Sequence, residues 1–565
     1  MFDSQGRQRI FRRRSRPTPR EFPLKQVGSI VLGILLFVHP VVHAQITPPP
    51  ITVVVMVDQM RADFLSRFYD QFKGGIARLL AEGVVFSDMR HQHAFARTAT
   101  GHAVLMTGSH PKHNGIPSNV FWDRTQHRLV NAVEDLSVTI LGAPSDTGRS
   151  PQAMRRTALG DWLKAESPNS RVFAVSGKDR SGILTGGTDP DGVYWYHRPS
   201  GQFVTSTYYR DALPDWVVEF NEADYARELF GRGWKRLLPR EAYERSREDD
   251  FEPERRGHGT TFPHRPDKGD PDLTFYEQFA LTPMLDDLTF QFAERLIEVE
   301  DLGTSDSPDL LLLGISSGDY LGHEYGPMSQ ENQDFVLRFD RRLGEFMDHL
   351  DERFGNDGYA LILTSDHGAP LMPEENERQG VSAGRVTMTD LQEVLLPVLQ
   401  QGLYDLEIND IPRITFFYPF GLTMAFAEGA ISDEAMAELR QRVADAVRKT
   451  DWAADAFTYD EVADPETKPR PYLEAFQNNF VADRAPDVFV LYEENFFFSS
   501  GIPIDHGMPY EYDTHVPLIF LVPGLPGRVI GDRVGAVDVA PTIAAILGVS
   551  PPEEIDGVVL PLWPQ

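Results

Sequence analysis

Short apolar runs that are followed within a few residues by aspartate or histidine are the feature that most constrains this chain. The runs and the residues after them are 51–57 (ITVVVMV) with Asp58, 310–315 (LLLLGI) with Asp319 and His323, and 359–364 (YALILT) with Asp366 and His367. Runs of this length are typical of buried parallel strands. Because ligands of open α/β sheets bind at the carboxyl ends of the strands, the pattern predicts a site along that edge.

The polar residues after these strands form a set of metal-binding side chains. A later residue, His506, completes three aspartates and three histidines, with His515 as the alternative last ligand. This mixture suits two divalent ions, and zinc best of all. The chain contains no cysteine, which excludes disulfides, thiolate ligands and a cysteine nucleophile. We therefore expect two Zn²⁺ ions and a hydrolase.

The rest of the folded chain alternates helical and strand-like patterns. Helical periodicity at 75–81 and 283–298, and a strand-like run at 171–175, give a βαβ rhythm. We expect one catalytic domain over 45–565, an α/β fold with a mostly parallel central sheet flanked by helices. Inserted cap regions are expected at about 190–280 and 379–485. The runs 488–491 and 517–522 are expected to rejoin the sheet.

The amino terminus predicts an export signal. A basic segment precedes a twelve-residue apolar run, 27–38, which is too short to span a membrane comfortably. Val42-His43-Ala44 suits a signal peptidase, so we predict a signal peptide over 1–44 and a periplasmic or secreted enzyme. An uncleaved anchor is the alternative; after cleavage we expect no stable membrane partner. The net charge of −30 argues against nucleic acid as a partner.

A threonine supplies the candidate nucleophile. Residues 94–108 (AFARTATGHAVLMTG) predict a helix that begins near Thr98, so its hydroxyl would lie beside free backbone N–H groups. A metal ion can activate such a hydroxyl for attack on phosphorus. Thr100 ranks second, and a simple helix N-cap is the alternative role of Thr98.

Several ordered motifs together resemble the alkaline phosphatase superfamily, of the type with a threonine nucleophile. They are Val-Asp58-Gln-Met, Thr98-Ala-Thr-Gly-His102, Asp319-x-x-x-His323, Ser-Asp366-His367-Gly, His506-Gly and the segment 538–548. The resemblance implies a phosphothreonine intermediate at a site with two zinc ions. One ion would be held by Asp58, Asp366, His367 and the Thr98 oxygen. The other would be held by Asp319, His323 and His506.

Two further features favour phosphate monoesters as small-molecule substrates. Asn119, 21 residues after Thr98, matches the position where related enzymes place an amide on a phosphoryl oxygen. Lys178 and Arg180 resemble the Lys-x-Arg pair of the monoesterases, and two cations favour a dianionic phosphoryl group. We therefore predict an alkaline phosphatase. The alternatives are a phosphodiesterase or nucleotide pyrophosphatase on the same scaffold, and a non-catalytic protein that binds zinc or phosphate.

Overall fold

The computed structural model describes residues 47–563, apart from 145, 255–258, 269–271, 418–420 and 500. The predicted signal peptide lies outside the described residues. Within these ranges, every helix is too short or too polar to cross a membrane.

Strands and α-helices occur along the whole described chain. The strands are β1 Ile51–Val57, β2 Val84–Arg90, β3 Val120–Asp123, β4 Arg128–Asn131, β5 Glu134–Leu141, β6 Thr147–Arg149, β7 Val172–Ser176, β8 Gly192–His197, β9 Gln202–Ser206, β10 Asp309–Ile315, β11 Tyr359–Thr364, β12 Gly384–Val386, β13 Arg413–Phe417, β14 Gly421–Ala425, β15 Ala453–Thr458, β16 Val488–Tyr492, β17 Phe496–Phe498, β18 His515–Leu521 and β19 Arg528–Gly535. The α-helices are α1 Asp63–Arg67, α2 Gly75–Glu82, α3 Thr98–Thr107, α4 Pro111–Asn114, α5 Leu159–Glu166, α6 Asp179–Gly186, α7 Asp215–Glu222, α8 Tyr225–Phe230, α9 Phe275–Ala280, α10 Met284–Val299, α11 Ser317–Tyr325, α12 Gln330–Phe354, α13 Pro373–Arg378, α14 Met388–Asp405, α15 Asp433–Val447, α16 Tyr459–Ala463, α17 Leu473–Asn479, α18 Glu511–Thr514 and α19 Val539–Leu547.

The central sheet is parallel at its middle, as predicted. Its strand order is β19-β2-β18-β11-β1-β10-β7-β8-β9-β5-β6. The five neighbours from β11 to β8 are parallel to one another. Strand β18 joins antiparallel to β11, and β9 joins antiparallel to β8. The predicted α/β fold is confirmed.

The middle strands are buried on both faces, which explains their almost continuous apolar sequence. Alternate side chains of β1 enter two different cores because successive residues of a strand point to opposite faces. Val53, Val55 and Val57 belong to the core that includes residues of α2, α10 and α12. Val54 and Met56 belong to the core that includes residues of α3, α5 and α19. Helices therefore cover both faces of the sheet.

The second inserted region differs from the expectation in one respect. The run at 488–491, expected to rejoin the central sheet, forms β16 and pairs with β14 and β15 in a separate sheet of order β13-β14-β16-β15. Its residues pack with those of α14 and α15 in a third core. An apolar run indicates a buried strand, but it does not identify the sheet that buries it. The later run does rejoin the central sheet, as β18.

Candidate active site

Three adjacent parallel strands deliver most of the predicted metal ligands to one edge. The end of β1 lies beside the end of β10, with Val57 opposite Ile315. The Asp58 N–H donates to the Ile315 carbonyl at 2.8 Å, which fixes the turn after β1. Asp319 and His323 lie one turn apart on α11, directly after β10, and Asp366 and His367 follow β11. The order of the strands therefore gathers residues that are about 300 positions apart in sequence.

Asp319, His323 and His506 form the first of two ligand clusters. The Nε2 atoms of His323 and His506 each lie 3.2 Å from Asp319 Oδ1. The Nδ1 atoms lie 2.9 Å from the carbonyls of Ile504 and Ala96 respectively. In the neutral ring, an Nδ1–H that donates to a carbonyl leaves the Nε2 lone pair free to bind a metal. The imidazoles are thus oriented as metal ligands.

The second cluster contains Asp58, Asp366 and His367. His367 Nε2 lies 3.4 Å from Asp58 Oδ1 and 3.4 Å from Asp366 Oδ2. All three atoms are buried and accept or donate no conventional hydrogen bond within the described chain. Buried polar atoms are almost always satisfied, so three converging exceptions need a partner of another kind. A divalent cation fits that requirement.

The two clusters share a boundary. The rings of His367 and His506 stack with centroids 3.8 Å apart. Asp319 lies within 4.8 Å of ligand atoms in both His506 and His367, so it contacts the second cluster as well as its own. Three carboxylates and three imidazoles at this spacing suit a pair of zinc ions better than magnesium or calcium, which prefer oxygen ligands.

A buried lysine lies between the clusters. Lys178 Nζ lies 2.6 Å from Asp58 Oδ2 and also contacts Asp319 Oδ2. Burial and the nearby Asp366 raise the pKa of Asp58. Burial opposes the charge of Lys178, but Asp319 and Asp58 outweigh it and raise the pKa of the ammonium group. The predicted catalytic lysine therefore lies against ligands of both clusters.

Thr98 is the first residue of α3 and is almost fully buried. Arg97 is the N-cap, so the alternative role of Thr98 as a plain N-cap is wrong. His102 Nδ1 lies 2.8 Å from the Thr98 carbonyl and 3.2 Å from Asp366 Oδ2. A Cβ atom on Gly101 would come within 2.7 Å of Asp366 Cβ, so only glycine allows this close approach. The start of α3 therefore packs directly against a predicted metal ligand.

Asn119 lies beside the same helix start. Its Oδ1 accepts a hydrogen bond from the Ala99 N–H at 2.8 Å, which satisfies one of the free donors of α3. The competing threonine, Thr100, is buried within the same first turn. Thr98 and Asn119, 21 positions apart in sequence, therefore both lie at the start of α3.

The loop before Thr98 is tied to the loop that carries His506. Arg97 Nη1 lies 2.8 Å from Asp505 Oδ1, in a buried ion pair next to His506. The His506 ring also contacts the Ala96 carbonyl, two residues before Thr98. These two links fix the threonine helix relative to the first ligand cluster.

Lys178 and Arg180 follow β7, the strand next to β10. Unlike the buried Lys178, the Arg180 side chain is 22% exposed, and its Nη1 lies 3.7 Å from Asp179 Oδ1. Asp179 in turn receives a hydrogen bond from Arg149 at 2.7 Å. The charge of Asp179 is thus divided between two guanidinium groups.

Three other histidines lie apart from the two clusters. His515 Nε2 hydrogen-bonds to the Ser87 carbonyl at 3.0 Å, and its Nδ1 lies 3.7 Å from Glu511. His506, and not His515, therefore joins Asp319. His264 pairs with Glu331 at 2.8 Å, and His113 pairs with Asp556 at 2.9 Å.

Gln59 is a site residue that the sequence analysis did not single out. Its backbone N–H donates to Asp366 Oδ1 at 3.2 Å, and its side-chain amide donates to Asp319 Oδ1 at 2.9 Å. Gln59 makes these two bonds from a left-handed backbone with φ of 65°, which is unfavourable for a residue with a side chain. Gln59 therefore fixes one carboxylate of each cluster. Its place directly after Asp58 was the available signal.

Comparison with known proteins identifies the family. The family model for type I phosphodiesterase / nucleotide pyrophosphatase matches residues 52–515. Alkaline phosphatase PhoV of Synechococcus elongatus is 32% identical, covering 93% of this chain and 94% of its own. A calcium-transporting ATPase of Myroides odoratus is also 32% identical, covering 89% and 92%. The crystal structure of alkaline phosphatase PafA is 28% identical with a TM-score of 0.82, covering 91% of this chain and 98% of that one.

The chain therefore belongs to the type I phosphodiesterase / nucleotide pyrophosphatase family, within the alkaline phosphatase superfamily. The predicted resemblance is confirmed, and so is the prediction of a phosphoric monoester hydrolase, because several of the relatives that match along almost the whole chain are alkaline phosphatases. The residue roles and the identity of the metal remain predictions.

Proposed function

We propose that this protein is a zinc-dependent alkaline phosphatase that acts through a phosphothreonine intermediate on Thr98. The observation that carries the proposal is the convergence of unsatisfied buried atoms of Asp58, Asp366 and His367 beside the first turn of α3. Asp58, Asp366 and His367 would hold one zinc ion. Asp319, His323 and His506 would hold the other. When bound, such ions supply positive charge to the attacking and leaving oxygens and lower the pKa of water.

Thr98 would be the attacking group. Its hydroxyl oxygen loses its proton and forms a bond to phosphorus while the ester bond breaks, and the departing alkoxide takes up a proton to become the leaving alcohol. Water then attacks the phosphothreonine and releases inorganic phosphate, restoring the threonine. Thr98 lies at the positive end of α3, where backbone N–H groups favour a phosphoryl group. Asn119, whose Oδ1 is held by Ala99 N–H, would direct its amide nitrogen to a non-bridging phosphoryl oxygen.

Lys178 and Arg180 would select monoesters over diesters. A monoester dianion carries more negative charge on its non-bridging oxygens than a diester monoanion, so two nearby cations stabilise it more. Lys178 is buried among the ligand carboxylates, and Arg180 is two residues further along. A second solved structure of PafA carries substitutions at a threonine, an asparagine, a lysine and an arginine. That threonine and asparagine are as many positions apart as Thr98 and Asn119, and that lysine and arginine as many as Lys178 and Arg180. This agreement supports the same four roles here.

Phosphodiester or pyrophosphate hydrolysis is the second candidate. The observation that favours it is the family model, which carries the names of both activities. The ectonucleotide pyrophosphatases of two mammals match only 12% of this chain or less. The near full-length match to alkaline phosphatases therefore favours the monoesterase.

The experiment compares hydrolysis of an aryl phosphate and an aryl phosphodiester by zinc-loaded protein. We expect the monoester to be hydrolysed faster. Acid quenching during turnover, followed by peptide mass spectrometry, should find phosphate on Thr98. Faster diester hydrolysis would reverse the choice of substrate class, and phosphate on Thr100 would reassign the nucleophile.

A further inference from the structure

Arg198 lies next to the proposed catalytic cations although it is 20 positions from Lys178 in sequence. Strands β7 and β8 are neighbours and parallel, with Ser176 opposite Trp195. Lys178 follows β7 and Arg198 follows β8, so both lie at the carboxyl ends of adjacent strands. This is the edge of the sheet that carries Asp319, because β10 is the other neighbour of β7.

Tyr320 connects the two cations. The Arg198 guanidinium carbon lies 4.6 Å from the centre of the Tyr320 ring, and Lys178 Nζ lies 4.8 Å from the same centre. The two charges are therefore no further apart than the sum of those distances. Tyr320 directly follows Asp319 on α11, so Arg198 lies one aromatic ring away from the first ligand cluster.

The charge of Arg198 is not neutralised by the described part of the chain. No described carboxylate lies within ion-pair distance of its guanidinium, and its Nε is buried without a hydrogen-bond partner. The nearby cations differ: Lys178 contacts Asp58 and Asp319, and Arg180 lies beside Asp179. Arg198 therefore brings an available positive charge to this edge.

The turn that carries Arg198 is held in place. The preceding His197 contacts Asp146 through Nε2 at 2.8 Å and Ser200 Oγ through Nδ1 at 2.8 Å. The turn closes at Gly201, where φ is 74° and an added Cβ would come within 2.2 Å of the Tyr276 ring. Arg198 is thus placed on a fixed turn, which lowers the entropic cost of binding an anion.

We propose that Arg198, stacked on Tyr320, forms a subsite for a phosphate group in the leaving part of the substrate. The proposal rests on the function proposed above, in which Thr98 attacks the phosphoryl group beside Lys178. A guanidinium group binds phosphate through two parallel hydrogen bonds. The enzyme would then favour substrates such as nucleoside diphosphates, in which the terminal phosphoryl group is attacked and a nucleoside monophosphate departs.

The test compares kcat/KM for adenosine 5′-monophosphate and adenosine 5′-diphosphate in the zinc-loaded enzyme and its variants. Intrinsic reactivity cancels when each variant is compared with the wild type on the same substrate. Arg198→Ala should lower kcat/KM for the diphosphate by at least about 10-fold more than for the monophosphate, the effect of losing a hydrogen bond to a charged group. Arg198→Lys should restore part of the loss.

Arg210→Ala is the matched control. Arg210 also lies over a tyrosine ring, 5.8 Å from the centre of Tyr194, but it contacts the Asp191 carbonyl at the amino end of β8. This variant should affect both nucleotides equally. An equal loss on both nucleotides in Arg198→Ala would overturn the subsite.

A binding measurement separates this proposal from the proposed reaction. On the Thr98→Ala background, Arg198→Ala should weaken adenosine diphosphate binding at least about 10-fold more than adenosine monophosphate binding. Equal weakening would overturn the subsite whatever the reaction is. Faster hydrolysis of diesters by the wild type would instead overturn the proposed monoesterase function.

Discussion

The ends of the middle strands differ from the ends of the flanking strands in how their functional side chains are held. After β10 and β11, the ligand side chains are fixed by hydrogen-bond partners, and all but His323, which is 21% exposed, are buried. The His323 and His506 rings each contact a backbone carbonyl, and Gln59 binds Asp319 and Asp366. After β7 and β8, Lys178 is fixed between Asp58 and Asp319, but two arginines are held less tightly. Arg180 lies 3.7 Å from Asp179, and Arg198 has no carboxylate of the described chain within ion-pair distance.

This difference separates two tasks along one edge of the sheet. A metal site requires donor atoms in a fixed geometry, and its supporting contacts set its affinity. A cation that is only partly paired with carboxylates, such as Arg180 or Arg198, keeps its charge available for an anion of the substrate. Substitutions at the middle should therefore affect all substrates, while substitutions at the flank should change the choice among them.

The largest effect should come from Thr98→Ala. Without the hydroxyl, no phosphothreonine can form, so we expect kcat/KM to fall by at least about 1,000-fold for monoesters and diesters alike. Because each cluster keeps three carboxylate and imidazole ligands without the Thr98 oxygen, zinc content should stay close to the wild-type value. Steady-state kinetics and metal analysis of the same preparation provide the measurement.

Thr98→Ser is the control for this variant. It keeps a hydroxyl at the first residue of α3 and should retain much of the activity. Activity that survived in Thr98→Ala would contradict the prediction, because the nucleophile would then lie elsewhere. A loss of zinc in Thr98→Ala or retained activity in Thr100→Ala would not contradict it.

The second effect should come from Lys178→Ala and should depend on the substrate. We expect a loss of roughly 100-fold on aryl phosphates, because the dianion loses a cation beside its phosphoryl oxygens. Diester hydrolysis should be almost unchanged. The measurement is the ratio of kcat/KM values for the two substrates.

Lys164→Ala provides a matched control for the loss of one positive charge. Lys164 pairs with Asp191 at 3.2 Å, and Asp191 binds the Val172 N–H at the opposite end of β7. This variant should leave the ratio unchanged. Equal losses on both substrates in Lys178→Ala would show that the lysine supports the ligand carboxylates and does not select the substrate.

The sequence allowed prediction of the middle of this site far better than its flank. Asp58, Asp319 and Asp366 each follow an apolar run whose burial on both faces is evident from composition. Thr98 and Asn119 depended on the family resemblance, because spacing alone does not show that Ala99 N–H binds Asn119. Gln59 required a left-handed backbone that no residue pattern reveals.

Arg198 was missed for a different reason. Strand β8 lies inside the first predicted insertion, at 190–280, and we expected no strand of the central sheet there. The assignment of β16 to the central sheet was wrong for the same reason. The packing of whole layers, and not local sequence, decides which strands pair over long distances.

A third effect, on metal binding, should come from Gln59→Ala. Removing the amide leaves Asp319 Oδ1 without the bond at 2.9 Å that orients it. Contacts of this kind typically change metal affinity by about 10-fold to 100-fold. Competition with a chromogenic zinc chelator should show weaker binding, and saturating zinc should restore most of the activity. Gln333→Ala, at a buried glutamine on α12 that contacts Gln71, should bind zinc like the wild type. Unchanged affinity in Gln59→Ala would mean that Asp319 is oriented without the amide.

The smallest effect should come from Arg180→Ala, and it tests how exposure weakens a cation. The Arg180 side chain is 22% exposed, and Asp179 already takes part of its charge, whereas Lys178 is buried. Solvent and salt screen an exposed charge more than a buried one. We therefore expect a loss of only about 10-fold on aryl phosphates, and the difference from the wild type should shrink as ionic strength rises. The loss in Lys178→Ala should change little with salt. The same loss and the same salt dependence in both variants would show that burial does not distinguish the cations at this edge. The contrast between the fixed Lys178 and the available Arg180 would then be wrong.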